Sequence, residues 1–478
     1  MSRIFVTILV LALAGCASSR DRVENPQPVE LPAEWTAEPE SEVVDSGGDV
    51  SWDRILSEPT IAVLVEEALY GNPSLASAAA RLEQAVARAR ISGADLYPHV
   101  NGSLEGGRRK QNFIGFPIPG AEDQVFSTTT TTWGVGLNVS WEIDLWGRIR
   151  AGHAAALADA DAAASELQAA RLSIAGQTVK AWLALIEARQ QLELARETLE
   201  NRQLTEQRIA RRYQEGLAPS IDLRLARTNL SIAEVAVAAR ERQVDGASRQ
   251  LEILLGRYPS AEIEAVEELP AIPSGIAAGI PAELIRRRPD LVAAELRLIA
   301  ADARVAEARA ALYPQFRLTG STGVTTDELE SLVDGDFSVW SLAFNLLQPI
   351  FQGGRLRANV DLQEAIEDEV AARFVQRALE AFAEVELAIV AEGSLARQEE
   401  AMENAVRSAA AAQATAEERY GAGLSDYLVV LESQRQALET KSSLIERRRQ
   451  RLTALVDLCL ALGGDLNPDR QLASEGSS

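Results

Sequence analysis

Residues 148–213, RIRAGHAAALADADAAASELQAARLSIAGQTVKAWLALIEARQQLELARETLENRQLTEQRIARRY, contain no proline and only two glycines, Gly152 and Gly176. Alanine, leucine, arginine, glutamine and glutamate dominate the stretch, and all favour helix. Apolar residues return at sevens, in Leu172, Val179 and Ile186 and again in Leu185, Leu192 and Leu199, which is coiled-coil spacing. As one helix the stretch would be ~100 Å long. It then occurs a second time. Residues 355–420 have the same length, lack proline and carry their own sevens in Val375, Phe382 and Ile389 and in Leu395 and Met402. The first copy ends in Arg212-Tyr213-Gln214-Glu215-Gly216-Leu217, the second in Arg419-Tyr420-Gly421-Ala422-Gly423-Leu424. The chain is a duplicated long-helix protein.

Working outward, the repeat takes in short helices and hairpins. Arg288-Pro289-Asp290-Leu291 answers Asn72-Pro73-Ser74-Leu75, and Leu312-Tyr313-Pro314 answers Leu96-Tyr97-Pro98. Gly354-Arg355 answers Gly147-Arg148, and Gly463 answers Gly256. In 133–143 the period changes from helical to two: Trp133, Val135, Leu137, Val139, Trp141 and Ile143 alternate with Gly134, Gly136, Asn138, Ser140 and Glu142. Bulky apolar residues facing small or polar ones predict a transmembrane β-strand with lipid on one side and water on the other. Tryptophans at both ends suit the two membrane interfaces. A weaker partner strand lies near 99–108, and Trp340, Leu342, Phe344 and Leu346 repeat the pattern in the second hairpin, whose other strand starts at Phe316 and Leu318.

The organisation expected is a signal peptide over 1–15, a Pro/Glu/Ser/Asp-rich tether over 16–50, repeat 1 over 51–256, a linker over 257–287, repeat 2 over 288–463 and a tail over 464–478. Repeat 1 comprises helices within 52–96, a hairpin over 99–144, the long helix 148–213 and a return helix 220–256. Repeat 2 comprises a helix over 289–312, a hairpin over 315–350, the long helix 355–420 and a return helix 427–463. In each repeat the short and return helices together nearly equal the long one, so they can stack end to end beside it.

Each chain offers only four membrane strands. Four strands leave two open edges, which lipid cannot satisfy, so the barrel must be shared between chains. A dimer gives eight strands and a filled bore; a trimer gives twelve and a lumen. A tetramer is compatible with the count.

Composition narrows the function further. With 47 Lys+Arg against 70 Asp+Glu the formal charge is −23, which argues against nucleic acid as a partner. Two histidines, His99 and His153, and two cysteines, Cys16 and Cys459, provide neither a disulfide framework nor a Cys/His metal site. No nucleophile motif stands out, and neither an enzyme nor a bound cofactor is expected. At the N-terminus Arg3 precedes an apolar run, Ile4 to Ala14, too short to span a bilayer but suited to export. It ends in Leu13-Ala14-Gly15-Cys16, which resembles a bacterial lipobox. On that reading Cys16 becomes an acylated mature N-terminus, and several acyl chains on one residue anchor stably.

These residues resemble the TolC-like outer-membrane factor family of tripartite export systems, nearest its lipoprotein (OprM/NodT-type) branch. The most specific pieces are Ile285-Arg286-Arg287-Arg288-Pro289-Asp290-Leu291, the run from Ala308 to Pro314, Gln348-Pro349-Ile350-Phe351-Gln352-Gly353-Gly354-Arg355, and the paired Arg-Tyr-x-x-Gly-Leu turns. The resemblance implies a mainly α fold with a membrane β part: two structural repeats, long coiled-coil helices in an α-barrel, and four strands per chain in a twelve-stranded trimeric β-barrel. It implies a homotrimer in the outer membrane that meets a periplasmic adaptor and an inner-membrane pump of the RND type and passes small molecules such as drugs outward. Protein secretion through a type I system is the neighbouring alternative; a non-conducting periplasmic scaffold is the more distant one.

By position, the resemblance assigns Asp222, Tyr420, Leu428 and Glu432 to a periplasmic aperture and Gly216, Leu217, Gly423, Leu424 and Ser425 to adaptor contact. Three copies of Leu428 would form an apolar constriction. Three copies of Glu432 would form an acidic ring whose repulsion needs offsetting. The chain departs from some members in having Ser425 where an arginine can lock the gate and Val429 where a second acidic ring can occur.

Overall fold

The computed structural model describes residues 35–36, 59–113, 126–263, 268–271 and 281–464. The signal segment, Cys16, nearly all of the tether, Trp52, the hairpin-loop residues Pro117, Pro119 and Gly120 and almost the whole tail lie outside them.

In chain order the elements are α1 (Pro59–Gly71), α2 (Pro73–Ala94), β1 (His99–Phe113), β2 (Phe126–Ile143), α3 (Arg148–Gln214), α4 (Ser220–Leu254), α5 (Pro281–Arg287), α6 (Pro289–Ala310), β3 (Gln315–Thr326), β4 (Ser338–Leu347), α7 (Arg355–Gly421) and α8 (Tyr427–Ala461). Two short 3-10 turns, Leu329–Val333 and Gly335–Phe337, join β3 to β4. The segment read as a linker thus carries a helix, α5, at its end.

Both long helices begin at a glycine in left-handed backbone, Gly147 (φ 78°) and Gly354 (φ 84°), where the chain turns out of a hairpin. Both end at another, Gly216 and Gly423, each with φ 73°. There the Leu217 N–H donates to the Arg212 carbonyl and the Leu424 N–H to the Arg419 carbonyl, each at 2.8 Å. That closure satisfies the last free carbonyls of each helix.

α3 packs against α1, α2, α4, α6 and α8, whereas α7 packs against α6 and α8. The helices therefore form four rods in a row: α2 with α4, then α3, then α6 with α8, then α7. The stacked rods are joined in the same way in both repeats. Asn72 Nδ2 donates to the Leu254 carbonyl at 2.8 Å, and Arg288 Nη1 donates to the Ala461 carbonyl at 3.1 Å. The residue before each helix-opening proline thus caps the helix ending against it. A Cβ on Gly256 would stand 2.2 Å from the Gly71 carbonyl oxygen, so only glycine lets these ends abut.

The core sits at these junctions. In repeat 1, Leu75, Leu251 and Leu255 pack with Trp182, Leu185 and Ile186 of α3; in repeat 2, Leu291, Leu458 and Leu462 pack with Val385 and Ile389 of α7. Arg288, nearly buried, holds both carboxylate oxygens of Asp290 (3.0 and 2.9 Å) and Glu384 (2.6 Å). Arg377 closes on Asp290 from the other side at 2.7 Å. Burial pushes Asp290 upward, but the two guanidiniums outweigh it and hold the carboxyl below its ordinary range.

Candidate conduit and its narrow end

The four strands form one antiparallel sheet in the order β1-β2-β3-β4. Its register sorts the residues into two faces. On one, Val100 stands opposite Val139, Leu104 opposite Val135, Trp141 opposite Leu318 and Leu318 opposite Phe344. Ile143, Phe316 and Leu346 continue that face. Leu137, Leu342 and Trp340 are 52%, 68% and 80% exposed, an apolar band that one chain leaves bare. On the other face Asn101, Asn138, Ser321 and Ser341 line up straight across the sheet. Asn138 Nδ2 donates to Ser103 Oγ at 3.3 Å, and the Ser321 and Ser341 hydroxyls are 2.7 Å apart. An apolar face outside and a hydrogen-bonding face inside is the wall of an aqueous pore through lipid. Among the described residues no helix is long and apolar enough to cross a membrane.

A polar collar fixes this sheet to the helices. Trp141 Nε1 donates to the Leu96 carbonyl at 3.0 Å and Trp146 Nε1 to the Pro314 carbonyl at 2.9 Å. The Trp146 ring stacks on Tyr313 with centroids 5.0 Å apart, and Asp144 accepts the Ile149 and Arg150 backbone N–H groups at the start of α3.

At the far end of the rods, the α3–α4 and α7–α8 hairpins meet. Tyr420, in the last turn of α7, donates its hydroxyl proton to Asp222 in the first turn of α4 at 3.2 Å. Arg212 of α3 lies 5.2 Å from the centroid of the Tyr420 ring and donates to the Gly421 carbonyl at 3.4 Å. Burial, with the Asp222 carboxylate beside it, raises the Tyr420 hydroxyl above its ordinary value. Tyr427 is buried beneath, 5.4 Å from the Tyr420 ring, and burial pushes its hydroxyl up to about 12.

The structure thus brings Tyr420 and Asp222 together. Leu428, 63% exposed, and Glu432 stand one turn apart on an open face of α8. The Glu432 carboxylate is held by Arg435 (2.5 and 3.1 Å), which also binds Glu439 at 2.6 Å. Those Arg435 hydrogen bonds hold Glu432 below its ordinary range. The sequence reading passed over this counter-ion, although its spacing, three residues after one acid and four before the next, was the available signal. Arg212 was also missed; its partners lie on another helix, so no local spacing points to them. Gly216, Leu217, Gly423 and Leu424 are exposed at the two hairpin tips, with Ser425 half-buried beside them. Cys16 is outside the described residues. Among those residues no group of three His, Cys, Asp or Glu side chains could hold a metal ion.

A family model described as outer membrane efflux protein matches residues 64–257 and 280–464. The chain is 34% identical to the outer membrane protein OprJ of Pseudomonas aeruginosa, covering 98% of this chain and 97% of that protein. It is 30% identical to the toluene efflux pump outer membrane protein TtgF of Pseudomonas putida, over 95% of each. The solved outer-membrane channel OprN superposes with a TM-score of 0.83 at 27% identity, covering 92% of this chain and 98% of that one. The likeness spans rods, sheet and hairpin tips together, and the chain belongs to the outer membrane efflux protein family, as an outer-membrane channel component of an efflux system with a TolC-like fold.

Proposed function

We propose that three copies close into one duct, a twelve-stranded barrel continued by a tube of twelve helical rods, through which small molecules leave the cell. The observation that carries this reading is that sheet and rods are open at the same two sides of the chain. β1 and β4 are edge strands, and the rod of α2 with α4 and the rod of α7 are edge rods. A single closed rotation satisfies both pairs of edges, and lipid leaves the strands no other stable solution.

The polar ladder of Asn101, Asn138, Ser321 and Ser341 would line the lumen. The Tyr420–Asp222 bond, with Leu428 and Glu432 beside it, would hold the narrow periplasmic end. Arg435 offsets the repulsion that three copies of Glu432 would otherwise create. Cys16 would carry the acyl anchor in the outer membrane. The exposed tips at Gly216–Leu217 and Gly423–Ser425 are the surface offered to a periplasmic adaptor and, through it, to an RND-type inner-membrane pump. Small-molecule cargo is favoured by the toluene efflux relative.

The test is in-cell photocrosslinking from a probe at Ser425, with the captured partner identified by mass spectrometry. Capture of an adaptor from a proton-driven drug pump supports the reading. Capture of an adaptor from an ATP-driven polypeptide exporter replaces the cargo, and capture of no adaptor removes the tripartite role.

A further inference from the structure

The outer rim of the sheet carries two charged segments of opposite sign. Toward its outer end β1 carries three consecutive cations, Arg108, Arg109 and Lys110, paired across to Thr131, Thr130 and Thr129 of β2. All three are exposed, and none has an ion-pair partner among the described residues. The turn between β3 and β4 carries five acids, Asp327, Glu328, Glu330, Asp334 and Asp336, all exposed and likewise without an ion-pair partner among the described residues. Asp334 Oδ1 only accepts the Asp336 backbone N–H at 3.2 Å. Within one chain β2 and β3 separate the basic strand from the segment leading into β4. In a closed ring β4 of one copy lies directly beside β1 of the next.

Strand lengths fix how the two segments meet. β4 covers 338–347 and β1 covers 99–113. If every β4 residue is paired antiparallel with β1, the partner of Ser338 falls between residues 108 and 113. Opposed residues share a face, and even-numbered positions face lipid on both strands, Val100 and Leu104 on β1 and Trp340, Leu342, Phe344 and Leu346 on β4. Only 108, 110 or 112 can then stand opposite Ser338. From residue 108 to residue 112 the β1 strand is polar on both faces, so this outer segment offers no apolar match that would choose among these registers.

We propose that charge makes the choice: Ser338 of one copy stands opposite Arg108 of the next, so that the acidic turn leading into β4, with Asp334 and Asp336 just before that strand, lies beside Arg108 and Lys110. The acidic turn of each copy latches the basic strand of its neighbour at the outer mouth. This register also opposes Leu342 to Leu104 and Leu346 to Val100, so the apolar band closes without a step. A slip by two residues keeps the faces but shifts both matches together. Exposed ion pairs are individually weak and screened by salt; here they select among registers that hydrogen bonding leaves nearly equal. The inference rests on the closed-ring reading above.

The test has two parts on the full-length protein in outer membranes. Ser338→Cys combined with Arg108→Cys should form inter-chain disulfides and give a covalent trimer on non-reducing gels, more efficiently than Ser338→Cys with a cysteine at Lys110 or Asn112. Arg108→Glu with Lys110→Glu should lower the temperature at which the SDS-resistant trimer separates. Asp334→Lys with Asp336→Lys should do the same, and all four together should restore it. Preferred crosslinking at position 110 or 112, or intact trimers whose separation temperature ignores the reversals, overturns the latch while leaving the ring. Failure of the fourfold variant to recover, with loss of co-purifying phosphate-bearing lipid, overturns it in favour of cations that serve the outer leaflet. A wild-type protein that is no trimer at all overturns the ring itself and the latch with it.

Discussion

Replacing Tyr420 with phenylalanine removes one oxygen from the proposed narrow end and leaves the ring that Arg212 covers. The lost interaction is the hydroxyl's hydrogen bond to Asp222, the side-chain bond from the end of α7 to the start of α4. A hydrogen bond to a charged acceptor contributes about 1.5–3 kcal/mol. Both groups are only partly buried, which lowers the expectation to about 1 kcal/mol per chain. If the three copies proposed above open together, the closed state loses about 3 kcal/mol, roughly a hundredfold in the closed-to-open ratio. Planar-bilayer recording of the purified protein reads this as a rise in open probability. Asp222→Asn should give a similar rise, and the double variant should exceed either single one by little, because both remove the same bond. Recordings of Tyr420→Phe and Asp222→Asn that match wild type would refute the view that this bond holds the narrow end.

Three further outcomes follow from other parts of the structure. Leu137 lies midway between Trp133 and Trp141 on the apolar face, so Leu137→Lys should destabilise the membrane-inserted barrel by about 2–4 kcal/mol in chemical unfolding; the neighbouring Asn138→Lys should fold normally and shift ion selectivity toward anions. Arg288→Ala strips a partner from Asp290, Glu384 and the Ala461 carbonyl, a loss of about 3–5 kcal/mol for a broken buried pair. Asn72→Ala at the matching junction loses a carbonyl bond and a cap, about 2 kcal/mol in all, and the order of the two in denaturant midpoints is the check. Arg435 holds Glu432 below its ordinary range, so the pair is intact above that range and lost as pH falls through the lowered value. In Arg435→Ala the pH at which Glu432 loses its charge, followed through the pH dependence of channel conductance, should therefore move upward.

Much of this architecture was legible because it rests on periodicity. Sevens without proline marked α3 and α7, and strict alternation from Trp133 to Ile143 marked the lipid and lumen faces of β2. What the sequence left obscure is polar and long-range. β2 begins at Phe126 and β1 runs on to Phe113, yet apart from those two terminal phenylalanines both outer segments are polar on both faces, so no alternation announces them. The threonine run from Thr128 to Thr132 was the one clue, through the β preference of branched side chains. The junction network of Arg288, Asp290, Arg377 and Glu384 draws on helices far apart in the chain. Where the α3–α4 and α7–α8 hairpins meet, position alone brought Tyr420 and Asp222 to attention; their contact follows only once the two helical hairpins lie side by side.

The central claim is that this sheet is a pore wall with its asparagine-serine face to water. Single cysteines can be placed at Asn138 or Ser321 on that face and at Leu137 or Leu342 on the other. Background reaction is low at Cys459, whose thiol is fully buried and pushed up to about 12 by burial. The measurement is planar-bilayer conductance before and after a charged, membrane-impermeant thiol reagent. A stepwise fall for Asn138→Cys and Ser321→Cys, with no change for Leu137→Cys and Leu342→Cys, is the predicted result. Block from the leucine positions, or no conductance to block, would contradict the account.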